Sequence, residues 1–170
     1  MGVILAVSLT VESFAQSGIW TTKAPMLSPR AQMAVAVAGG TIYTLGGISP
    51  TFFPLSIVGM VDAYNPVTNR WSSKAPMLTP RTYPAAGVVE GIVYVVGGLA
   101  PPTEDNPLAE HLSTMEAYDP KNDTWSNKAP MPTPRELHVV GVIHHIVYAV
   151  GGIPFAMLTP VTLHQRFSQR

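Results

Sequence analysis

The sequence predicts an all-β chain of tandem four-stranded antiparallel sheets, stacked side by side like segments of a fan. Three observations predict this. A string opening on Trp and closing on Pro-Arg occurs three times, at periods of 51 and 54 residues. A Gly-Gly pair follows each Arg at constant spacing. No segment has the 3.6-residue apolar period of an amphipathic helix, and Pro interrupts the chain too often for long helices.

The string is Trp20-Thr-Thr-Lys-Ala-Pro-Met-Leu-Ser-Pro-Arg30. It returns as Trp71-Ser-Ser-Lys-Ala-Pro-Met-Leu-Thr-Pro-Arg81 and as Trp125-Ser-Asn-Lys-Ala-Pro-Met-Pro-Thr-Pro-Arg135. The glycine pairs are Gly46-Gly47, Gly97-Gly98 and Gly151-Gly152, each with a Tyr three residues before it (Tyr43, Tyr94, Tyr148). In two units Tyr64 and Tyr118 precede Trp71 and Trp125 by seven residues.

Each unit reads as four short strands. Strand a is Met33–Ala38, Ala85–Val89 or His138–Ile143, rich in Ala, Gly and Val as expected where sheets converge and space is short. A two-residue turn follows: Gly39-Gly40, Glu90-Gly91 or His144-His145. Strand b runs up to the glycine pair as Thr41–Leu45, Ile92–Val96 or Ile146–Val150. Strand c leads into the Tyr, as Met60–Tyr64 and Met115–Tyr118, with Val161–Phe167 as a degenerate third copy. A turn of Asn, Pro, Asp and Thr residues then leads to strand d near the Trp. The β-branched and aromatic content supports strands, and Trp and Tyr have the flat surfaces that fill wedges between sheets.

The glycine pair, the Tyr-x6-Trp spacing and the Pro-Arg opening of strand a resemble the kelch motif, from Trp20 to Gly152. The resemblance implies a β-propeller of four-stranded blades. A WD40 reading fails, because its period is shorter and no Trp-Asp dipeptide occurs.

Residues 1–15 differ from the rest. The apolar run Val3–Leu9 and the small residues Ser13 and Ala15 predict a signal peptide cleaved before Gln16, hence a secreted or periplasmic protein, although no positive charge follows Met1. The run is too short to span a bilayer as a helix. The kelch region is then 16–170, with a strand d near 20–24, full repeats over 29–74 and 80–128, and an incomplete repeat over 134–170. That makes about three blade equivalents, a partial propeller. Three arrangements fit: part of a larger ring, six-bladed by resemblance; two chains joined head to tail, each Trp20 strand completing the partner's third blade; or an open arc, which unpaired edges disfavour.

Apolar residues make up 46% and charged residues 12%, with a formal net charge of 0. No basic excess argues for nucleic acid. The absence of Cys excludes disulfides, Cys-based zinc sites and thiol nucleophiles.

Strands of a meander alternate in direction, so the b–c and d–a connections share one face. The b–c connections are the long ones (48–59, 99–113 and 153–160), and long loops on a rigid scaffold usually carry binding. On that face Arg30, Arg81 and Arg135 form either a basic arc for a carboxylate or internal ties to loop carbonyls, the latter favoured by their recurrence in every unit. Phe52, Phe53, Leu55, Phe155, Met157 and Leu158 form an apolar patch or cover a neighbouring blade. Glu104, Asp105, Glu110 and His111 read as a solvated loop and His144-His145 as an exposed turn, so no metal or other cofactor is expected.

No nucleophile elbow, phosphate loop, zincin motif or dinucleotide fingerprint occurs. The expected function is a non-catalytic module recognising a protein or glycan through the long-loop face. The resemblance also includes sugar-acting enzymes. Copper oxidases need a Cys–Tyr crosslink, which the absence of Cys forbids. A sialic-acid mutarotase needs charged groups, such as Glu136 and the arginines, in a closed central pocket. Ubiquitin-ligase adaptors need an attached domain.

Overall fold

A computed structural model of the chain describes residues 20–51, 56–104, 106–154 and 164–168. The first sheet contains β1 (Ala34–Ala38) and β2 (Thr41–Leu45). The short pair β3 (Ile48–Ser49) and β4 (Ser56–Ile57) follows, and β5 (Val61–Asn65) and β6 (Arg70–Lys74) complete the sheet in the order β1-β2-β5-β6. The second repeats this plan. Its main strands are β7 (Ala85–Val89), β8 (Ile92–Val96), β11 (Met115–Asp119) and β12 (Thr124–Lys128), with β9 (Leu99–Ala100) paired to β10 (Glu110–His111) in the b–c connection.

In the third unit β13 (Arg135–Glu136) pairs with β16 (Ile153–Pro154). The main sheet has β14 (Val139–Ile143), β15 (Ile146–Val150) and β17 (His164–Ser168), in that order. All pairings are antiparallel, so each sheet is a meander and the chain forms consecutive blades of a partial β-propeller.

The a–b turns have positive φ at both residues (Gly39 and Gly40, Glu90 and Gly91, His144 and His145), the geometry of tight two-residue hairpins. The expected b strands match β2, β8 and β15 throughout. Of the third c strand expected over Val161–Phe167, residues 161–163 lie outside the described residues; β17 carries the rest, and its register sets Phe167 opposite Val147, where Tyr118 stands opposite Val93.

Innermost strands pack on one another, β1 on β7 and β7 on β14. One core lies between the first two sheets (Ala34, Ala36, Leu45, Val61, Met77, Val93, Val95, Tyr118) and a second between the next two (Tyr94, Val96, Met115, Met131, Val147, Ala149). Gly87 is required here, because a Cβ would come within 2.7 Å of Val140 and 2.9 Å of Val142.

One expectation is corrected. Residues 20–24 form no strand, and the Trp20 side chain is fully exposed. A strand d exists only by pairing with a strand c, and no described residue offers one at that position.

Candidate functional site

The repeated arginines turn inward. Arg30 donates to Gly46 O (3.1 Å), Met60 O (2.7 Å), Thr44 Oγ1 (2.8 Å) and Asp62 Oδ2 (2.5 Å). Arg81 donates to Thr79 O (3.2 Å), Gly97 O (2.9 Å), Thr114 O (3.2 Å) and the Glu116 carboxylate. Arg135 donates to Gly151 O (2.6 Å). All three are buried, and of the two arrangements weighed from the sequence, a basic arc or internal ties, the hydrogen bonds are those of internal ties that hold strand a to the b–c connection of its own unit. A guanidinium's five N–H donors suit this, since loop carbonyls withdrawn from water must be satisfied. Desolvation lowers each guanidinium pKa, and in the first two units the adjacent carboxylate opposes that shift.

The third unit departs from the first two. Arg135 Nε and Nη2 have no hydrogen-bond partner among the described residues. Asp62 and Glu116 stand on strand c opposite Thr44 and Val95; the corresponding position, opposite Ala149, is Gln165. Glu116 also accepts the backbone N–H of Leu78 (2.9 Å) and Thr79 (3.1 Å), whereas the third unit has Pro132, without an N–H, in place of Leu78. His138 is buried next to Arg135 and Gly97. Desolvation, then repulsion by Arg135, push its pKa down to about 4.

The glycine pairs join neighbouring blades. Gly47 N–H bonds Arg81 O at 2.8 Å and Gly98 N–H bonds Arg135 O at 2.9 Å. Gly46 and Gly97 have positive φ, and a Cβ on either would strike that same carbonyl. The aromatic landmarks do related work. Trp71 Nε1 donates to Ala24 O (2.9 Å), and Trp125 Nε1 donates to Ala75 O (2.8 Å), each reaching the segment that leaves the preceding d position. Tyr64 and Tyr118 lie against Trp71 and Trp125, with ring centroids 5.1 and 5.0 Å apart.

Among the described residues of the b–c/d–a face, the second b–c connection forms an open hollow. A cavity of about 320 Å³ is lined by Asn106, Leu108, Ala109, Glu110, His111 and Pro134. The Leu108 side chain is 70% exposed, and His111 Nε2 lies 3.5 Å from Glu136 Oε1. Phe52, Phe53, Leu55, Phe155, Met157 and Leu158 lie outside the described residues. His145 Nδ1 sits 3.3 Å from Glu90 Oε1, linking exposed a–b turns on the opposite face. Among the described residues no group of three or more His, Asp or Glu is placed to hold a metal ion, and no helix is long and apolar enough to cross a membrane.

Sequence reasoning missed Asp62, Glu116, Asn69 and Asp123. A signal was present: an acidic residue precedes Ala-Tyr in both full units, as Asp62-Ala63-Tyr64 and Glu116-Ala117-Tyr118.

Inward arginines, glycine pairs under a neighbour's carbonyl and Tyr–Trp wedges together define blades of a kelch-type propeller. The kelch motif matches residues 29–78 and 80–132, and the chain belongs to the kelch-repeat family. It is 31% identical over 146 residues to alpha-scruin of Limulus polyphemus, a match covering 85% of this chain and 16% of scruin. It is 38% identical over 111 residues to Kelch-like ECH-associated protein 1B of Danio rerio, covering 65% of this chain and 18% of that protein. The chain thus spans less than a fifth of the length of these curated relatives. The solved structure of YjhT superposes with a TM-score of 0.70 at 20% identity, covering 82% of this chain and 50% of that one, which shows the shared fold.

Proposed function

We propose that the chain is a non-catalytic module that recognises a protein partner through its b–c/d–a face, centred on the Leu108 cavity. One observation carries the reading. With the arginines tied inward, the described residues of that face offer an apolar-and-polar hollow on a long connection, with Leu108 exposed at its edge. The name of the Danio rerio relative records association with another protein, in keeping with this role. Within the same reading a second copy of the chain completes the ring, and residues 1–15 direct the protein out of the cytoplasm. The leader is tested by N-terminal sequencing of the exported protein, which should begin at Gln16.

Recognition is tested by selecting peptides from a displayed library on the purified chain, in parallel with a glycan array. Peptides whose binding falls at least tenfold with Leu108→Asp support the reading. Peptides indifferent to that change overturn the assignment of the face, and glycan binding lost in Leu108→Asp overturns the assignment of a protein partner.

A further inference from the structure

We infer that two copies of this chain join head to tail, the Trp20 of each filling the wedge between the second and third sheets of the other. The inference rests on the ring-completion part of the proposed function and names its interface.

The blade interface within the chain supplies the template. Strand a of each blade meets the next in a fixed way: Gly87 on β7 is the hole into which Val140 and Val142 of β14 project. Gly141 stands opposite Tyr148 as Gly87 stands opposite Tyr94, so it is the next hole in the series, and among the described residues nothing lies within 4 Å of where its Cβ would be. The matching knobs are at the other end of the chain. Val35 and Val37 on β1 occupy the register positions of Val140 and Val142, and they are 53% and 59% exposed.

The glycine pair repeats the pattern. A Cβ on Gly97 would lie 2.6 Å from Arg135 O, and one on Gly46 would meet Arg81 O. Among the described residues, nothing lies within 4 Å of where a Cβ on Gly151, of the same positive φ, would be. The series calls for the carbonyl of the next opening arginine, which is Arg30 of a second copy.

The aromatic wedge makes the third match. Between the first two sheets Trp125 packs on the core and donates to Ala75 O. At the equivalent place between the next two there is instead a cavity of about 190 Å³, whose walls include Ala129, Pro130, Met131 and Phe167. Ala129 is the counterpart of Ala75 and Phe167 of Tyr118. The Trp that opens the first string, Trp20, is fully exposed at the far edge of the chain, where Ala24 already docks on Trp71. A Trp20 delivered by a second copy would fill this cavity as Trp125 fills its own wedge.

The interface is therefore a continuation of one the chain already makes twice. Both faces are largely uncharged, and a formal net charge of 0 sets no repulsion between copies. Two heterologous contacts then close the pair, and growth stops there.

Sedimentation of residues 16–170, the chain left after the proposed cleavage, at micromolar concentration should give a mass of two chains. Trp20→Ala should weaken association by about thirtyfold or more. Gly141→Leu should abolish it while leaving circular dichroism and melting of the monomer intact, since the site is open in the single chain. A Val35→Cys chain mixed with a Gly141→Cys chain should be joined by a short bismaleimide, and neither variant should be joined to itself; the absence of native Cys makes this readable without a background. A monomer, an open-ended series of larger species, or a dimer indifferent to Trp20→Ala and Gly141→Leu would overturn the inference. Each of these outcomes leaves the Leu108 binding test unaffected.

Discussion

The Tyr118 hydroxyl donates to Asp123 Oδ1 at 2.6 Å, and the same oxygen accepts the backbone N–H of Ala75 at 2.9 Å. One carboxylate oxygen thus links strand c of the second blade to the segment leaving the first. Asn69 does the same for Tyr64 (2.8 Å) and Ala24 (2.9 Å). Both residues end their c–d turn at positive φ, a conformation that Asn and Asp tolerate.

Asp123→Ala should therefore cost about 1–3 kcal/mol, because two donors lose their acceptor. Asp123→Asn should cost much less, since the first blade already uses Asn there. Urea unfolding of the two variants checks the difference, and equal losses would contradict the shared-oxygen account.

Glu116→Gln leaves Arg81 charged and buried without its carboxylate. The expected loss is about 3–5 kcal/mol. Replacing Arg81 and Glu116 together by apolar residues should not recover it, because the Thr79 and Gly97 carbonyls and the N–H groups of Leu78 and Thr79 then lose their partners; a double-mutant cycle in denaturant measures this.

Gln165→Glu should stabilise the chain by about 1–2 kcal/mol, by returning a carboxylate to the register position that faces Arg81 and Arg30 in the other blades. A fall in melting temperature would show that the third strand c does not present this position to Arg135.

His138 makes stability fall on acidification. Its folded pKa is lowered to about 4 from the ordinary histidine value of 6.5, so between these values the unfolded chain binds more protons than the folded one. The contribution is fully present above pH 6.5 and is lost as pH falls toward 4, up to about 3 kcal/mol. His138→Met, which places there the residue found at Met33, should flatten this part of the pH–stability curve in urea titrations at pH 7 and pH 4.5.

Strand b was fully legible from the glycine pairs, because a positive-φ pair under a neighbour's carbonyl tolerates no other residue. The arginines were legible as a repeat, but their direction was not. Their carboxylates stand 32 and 35 residues away and differ in type, so no local pattern joins them. Trp20 carries the same local string as Trp71 and Trp125 yet forms no strand, since a strand needs a partner that local sequence does not provide. The cavity at Leu108 was illegible for a related reason: it arises where the second b–c connection meets Pro134 of the following unit.

Arg81 and Arg135 each grip their own sheet with the side chain and, through the carbonyl, the sheet before it. A protease cut in the connection around Asn106 would accordingly sever the backbone without releasing a fragment. The nicked halves should elute together from a sizing column and come apart only when the entire array melts in a single step.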